Sequence, residues 1–233
     1  MKKGVCVIVG VGPGNGAAFA KRFAKEGYSL ALLARSTDFI QQLAMELENT
    51  KAYVCDVSSH VSIEKAFAQI KQDFGQINIV IYNAGKGVWG NIEEIKPEDF
   101  ESCWQVNALG LMLVSQQVLP MMKQNKSGNI VIIGATSSKR GKIQTAAFAS
   151  AKAAQRSLAE SMAKYLGPLG IHVSLIIIDG VIDLPSTRKR MPDKPESFFI
   201  KPEDVAANAF WLTEQPVSTW SFEVEIRPFG EVW

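Results

Sequence analysis

Histidine and cysteine, the side chains that most often hold metals, are scarce here: two histidines and three cysteines in 233 residues. His60 and His172 are far apart, and neither has a cysteine or histidine neighbour at ligand spacing, so no protein-bound metal is expected. Cys6, Cys55 and Cys103 contain no CxxC pair, and the first two fall inside apolar runs. That is the pattern of reduced core thiols, and it points to a cytoplasmic setting. An excess of either charge is also missing, with 25 Lys and Arg against 23 Asp and Glu. The surface therefore offers no basic field for nucleic acid or an anionic membrane. No apolar run approaches transmembrane length. The opening "MKKGVCVIVGVGPGNGAAFA" imitates a signal peptide, but Gly12-Pro13-Gly14 breaks its apolar run. Cleavage near Ala20 would remove the strongest motif in the chain.

What is present suits one ordinary domain over 1–233, with 47% hydrophobic and 21% charged residues. Short apolar, β-branched runs recur at 4–10, 29–34, 52–55, 77–82, 129–134 and 171–178. Strands so continuously apolar are covered on both faces. Between them lie Ala-rich segments of helical length at about 15–26, 37–48, 60–74, 98–124 and 146–167. Alternation of this kind predicts an α/β fold with a doubly wound parallel sheet, a Rossmann fold. The pattern loosens at about 183–200, where prolines and basic residues suggest a substrate lid. A helix near 202–214 and a strand near 222–226 close the chain.

The first strand runs into "GVGPGNG", residues 10–16, and then into a helix. Glycines there let the backbone turn and approach a pyrophosphate, which the helix amides stabilise. Position 15 is Asn15, so the spacing is GxxxGxG, carried by Gly10, Gly14 and Gly16. Arg35 follows the second strand, where a ribose-reading acid is expected in NAD-binding chains. Arginine pairs with a 2′-phosphate, so NADP(H) is favoured, with NAD(H) as the alternative if Asp38 reads the ribose. Asp56, after the third strand, either hydrogen-bonds an adenine or caps the next segment.

The stretch "AAFASAKAA", 146–154, places Phe148 one helical turn before Lys152. A tyrosine at 148 would set its phenol beside that ammonium, favouring the phenolate; phenylalanine handles no proton. Together with GxxxGxG, "CDV" at 55–57, "NAG" at 83–85 and Asn107, this chain resembles the classical short-chain dehydrogenase/reductase family over nearly its whole length. The resemblance implies that Asp56, Val57, Asn83, Ala84, Gly85, Gly180 and Ile182 line the cofactor. It also implies that Asn107 holds a water in a proton relay and that Lys152 binds the nicotinamide ribose. The family's tyrosine and serine fall on Phe148 and Ala135, as in an atypical subgroup with Phe for Tyr. Its Pro and Thr after strand six fall on Asp179 and Leu184, and Val9 replaces a threonine.

Two functions follow from this pattern. One is an NADP(H)-dependent reductase or dehydrogenase acting on a small carbonyl or alcohol, with Lys152 through water, Thr136, Ser137, Ser138 or Asp179 as substitute proton carriers. The other is a catalytically silent NADP(H)-binding or sensing protein whose lid residues Arg188, Lys189, Arg190 and Lys194 contact a phosphate, an acidic substrate or a partner. The resemblance further implies a homodimer or homotetramer formed through the helices near 104–124 and 146–167.

Overall fold

Strand β1, Val5–Val9, is buried along its whole length, as the unbroken apolar run VCVIV requires of a strand covered on both faces. Alternation divides its side chains. Val7 and Val9 enter one core and Cys6 and Ile8 the other. The computed structural model describes residues 3–230, so both ends of the expected 1–233 domain lie outside the described residues.

Around β1 the sheet is built from β2 (Ser29–Ala34), β3 (Thr50–Val54), β4 (Ile79–Tyr82), β5 (Gly128–Ala135), β6 (Ile171–Ile178) and a late strand, Glu223–Ile226. Two short strands, β7 (Val181–Ile182) and β8 (Phe199–Ile200), pair in parallel outside it, which makes the late strand β9. The order is β3-β2-β1-β4-β5-β6-β9, parallel throughout. Chain order reverses between β1 and β4, so a crevice opens beyond their carboxyl ends.

Helices α1 (Asn15–Lys25), α2 (Asp38–Glu46) and α8 (Pro202–Thr213) cover one face; α3 (His60–Phe74), α5 (Gly110–Asn125) and α6 (Ala146–Leu166) cover the other. Helix α3 starts at Ser59, whose hydroxyl accepts from the Ser62 amide at 3.3 Å.

Three expectations change. The helix expected over 98–124 is two, α4 (Pro97–Trp104) and α5, joined by a π-helical turn at Gln105–Leu109. The extra residue per turn rotates Asn107 into the protein, where it is fully buried. The lid at 183–200 has its own order: helix α7 (Pro185–Arg190) between β7 and β8. Strand β3 is at the sheet edge and only Tyr53 within it is buried, so it is not covered on both faces. Cys6, Cys55 and Cys103 are free and buried. Among the described residues no helix is long and apolar enough to cross a membrane, and no group of three acidic, cysteine or histidine residues could hold a metal.

Candidate active site

At the end of β1 the backbone turns through Gly10, whose φ of +85° lies in the left-handed region. A Cβ there would stand 2.6 Å from the backbone of Ala84, and one on Gly16 would stand 2.6 Å from the Val11 Cα. The loop therefore lies directly against the end of β4 and the start of α1. Asn83 pins it, its Nδ2 donating to the Gly10 carbonyl at 2.7 Å. Asn15 Oδ1 is buried without a hydrogen-bond partner. From the lid, Leu184 reaches over the loop, its Cδ2 standing 2.6 Å from where a Gly14 Cβ would be.

The crevice beyond these turns has a volume of about 380 Å³. It brings together seven of the expected residues: Gly10, Arg35, Asp56, Val57, Asn83, Ala84 and Gly85. Asp56 sits at its rim, with Oδ1 accepting from the Ser58 amide at 2.9 Å and hydroxyl at 2.7 Å. Partial burial raises its pKa, but the Ser58 bonds and the Arg35 charge outweigh that and leave it below the usual carboxylate range. The cap of α3 is Ser59. Asp38 opens α2 beside Thr37.

The other end of the site is closed by α6 and the π turn. Lys152 is buried, and its Nζ donates to the Ile133 carbonyl at 3.0 Å and to Gln155 Oε1 at 2.9 Å. Loss of water around the amine pushes its pKa down to about 8. Asn107 Nδ2 donates to the carbonyls of Lys86 and Cys103, at 2.7 and 2.8 Å, which leaves its buried Oδ1 without a partner. Both groups border Gly85. A Cβ on that glycine would stand 3.4 Å from Asn107 Oδ1 and 3.8 Å from Lys152 Nζ.

Phe148 lies one turn before Lys152, with its ring centroid 6.0 Å from Nζ. The Trp89 indole stacks on it, centroids 5.2 Å apart and planes inclined by 25°. Trp89 also lies against Gly87, where a Cβ would overlap its ring. The loops carrying the pair are joined, Gly90 N donating to the Gln144 carbonyl at 3.1 Å. Ala135 ends β5, and the next residue, Thr136, donates to Asp179 Oδ1 at 2.6 Å. Asp179 is buried and ion-paired with Arg227 at 2.7 Å, with Arg140 further out at 3.7 Å. Gly180 and Ile182 lie between β6 and the lid; the Ile182 carbonyl accepts from Thr187 Oγ1 at 2.6 Å. Arg188 is bound through two nitrogens to Asp183 at 2.7 and 2.8 Å and set over the Phe199 ring, with its side chain still partly exposed.

The residues fit a dinucleotide. A cradle that side chains would fill, a guanidinium at its rim and a buried amine at its far end follow one another along the crevice. Sequence reasoning missed Trp89 and Gln155. The signal for Gln155 was present: a polar residue three positions after Lys152, on the face of α6 that also carries Ala151 and Ala159 inward.

Comparison with known proteins identifies the family and its fold. An uncharacterized oxidoreductase of Staphylococcus epidermidis is 29% identical over 230 residues, 98% of both chains. A short-chain dehydrogenase from Rhodopseudomonas palustris superposes with a TM-score of 0.85 at 29% identity, covering 98% of this chain and 100% of the other. An alcohol dehydrogenase from the archaeon Thermococcus sibiricus, solved with 5-hydroxy-NADP, has a TM-score of 0.88 at 28% identity and 98% coverage of each. The family model described as short chain dehydrogenase matches residues 4–194, and the chain belongs to that family of oxidoreductases.

Proposed function

We propose that this protein is an NADP(H)-dependent oxidoreductase that reduces a carbonyl or oxidises an alcohol without the usual tyrosine and serine. The carrying observation is the pairing of a buried, hydrogen-bonded Lys152 with Phe148 at the position one helical turn before it. The nucleotide-holding groups are kept while the proton-handling ones are absent. Arg35 at the rim supports NADP(H) over NAD(H), because a guanidinium pairs with a 2′-phosphate. A relative solved with 5-hydroxy-NADP supports the same choice.

When bound, the nucleotide would supply the hydride chemistry, the reduced form giving a hydride to a carbonyl or the oxidised form taking one from an alcohol. The chain's part is to hold the nucleotide on the glycine loop, to present the Lys152 ammonium to the ribose side, and to wall the reacting end with Phe148 and Trp89. Proton assistance typically contributes about 10² to 10⁴ in rate, so losing the tyrosine slows such an enzyme without abolishing it. We read Asp179 as structural, since Thr136 and Arg227 already engage its carboxylate. The Trp89–Phe148 stack favours the second reading, a silent NADP(H)-binding protein, because it sets two rings without a proton-handling group beside Lys152. Single-turnover mixing of NADPH with a panel of reactive carbonyls, followed by absorbance, separates the two. Consumption of NADPH establishes the enzyme; bound NADPH that is consumed by no carbonyl of the panel favours the silent binder.

A further inference from the structure

Lys152 and Gln155 are three positions apart on α6 and share a face. The glutamine is fully buried and used at both ends. Its Oε1 accepts from Lys152 Nζ at 2.9 Å, and its Nε2 donates to the Asn107 carbonyl at 3.0 Å. A carboxamide neither gains nor loses a proton near neutrality, so this bridge fixes position without adding charge.

The surroundings of the amine make that bridge consequential. From β5 it meets the Ile133 carbonyl, from its own helix the Phe148 ring and Gln155, and across Gly85 it faces Asn107 Oδ1. Every one of these is uncharged. Among the described residues no carboxylate pairs with Lys152, and burial alone lowers its pKa. The ammonium therefore depends on neutral oxygens, and Gln155 supplies one of the two that accept from it among the described residues.

We propose that Gln155 is a positioning residue: braced against the Asn107 carbonyl, it keeps Lys152 protonated and aimed at the crevice beside Gly85. The inference rests on the nucleotide reading for its effect on binding, but its effect on Lys152 can be measured without any nucleotide.

The test compares the wild type with Gln155→Met and Gln155→Glu in the full chain. The Lys152 amine is followed by NMR of labelled lysine, assigned with Lys152→Met, and NADPH affinity is titrated across the neutral to alkaline range. A hydrogen bond to a charged group is worth about one pH unit. Gln155→Met should lower the Lys152 midpoint by about that unit and Gln155→Glu should raise it. The pH at which NADPH affinity falls should move in step, making the methionine variant about tenfold weaker on the alkaline side. If the methionine variant fails to fold, the near-isosteric glutamate carries the test with the opposite sign. A Lys152 midpoint that moves while NADPH affinity does not follow keeps Gln155 as the residue that sets Lys152 and removes Lys152 from nucleotide contact. A midpoint unchanged in both variants overturns the proposal and leaves Gln155 as packing.

Discussion

In the nucleotide-free protein, replacing Lys152 by methionine should raise stability near neutral pH, although the same change should weaken nucleotide binding. The buried amine has a pKa of about 8 against 10.5 for an ordinary lysine. Below pH 8 both folded and unfolded chains carry the charge, and the fold bears the full cost of burying it. Between 8 and 10.5 the folded chain has released its proton while the unfolded chain keeps one, so stability rises with pH. That gap corresponds to about 3 kcal/mol. Methionine removes this cost but leaves Gln155 Oε1 without its donor, a loss of about 1 to 3 kcal/mol. The balance near pH 7 is a gain of about 1 kcal/mol, or about 2 to 4 °C in Tm for a chain of this length. Thermal melts of both proteins over a pH series read it directly. The advantage should shrink above pH 8 and reverse by about pH 10.5, because the wild type then keeps its hydrogen bonds without the charge. Other groups titrate equally in both proteins, so the difference isolates Lys152. A variant that is less stable at pH 7 by a margin independent of pH would mean that burying the Lys152 charge costs the fold nothing.

Other expectations concern the groups around it. Phe148→Tyr with Ala135→Ser should raise NADPH-dependent carbonyl reduction by about 10² to 10⁴ in single-turnover rate. A stable, nucleotide-binding double variant with no gain on any carbonyl would mean that the pocket is not arranged for that chemistry. Asp179→Asn should lower stability by about 2 kcal/mol, as a buried carboxylate bound by Thr136 and Arg227 is neutralised, while the hydride-transfer rate stays unchanged. An unchanged Tm with a tenfold slower rate would instead make Asp179 a proton carrier.

Much of this architecture is legible in the chain because its strong signals are local. Strands β2 and β6 and helix α3 fall where apolar continuity and helical spacing place them. The crevice follows, since the glycine turn, Arg35, Asp56 and the "NAG" turn all stand at strand ends that the topology gathers. What was not legible depends on packing between segments. The π turn at Asn107 is one added residue in a run that reads as continuous helix. The β7–β8 pair joins two-residue segments whose partners are eighteen positions apart, too short to carry a period. Trp89 meets Phe148 across two loops that the Gly90 amide joins through the Gln144 carbonyl, a contact between segments far apart in sequence. Arg188 reads as a free lid cation, yet Asp183 and the Phe199 ring engage it.

Calorimetric titration of wild type and Arg35→Ala, each with NADPH and with NADH, decides whether the crevice holds NADP(H) and whether Arg35 at its rim selects the phosphorylated nucleotide. The wild type should bind NADPH about tenfold or more tightly than NADH, as a charge-assisted pair with phosphate provides. In Arg35→Ala the two affinities should become nearly equal, with NADH binding little changed. Failure of the wild type to bind either nucleotide, or an affinity ratio unaltered by the substitution, would contradict the account.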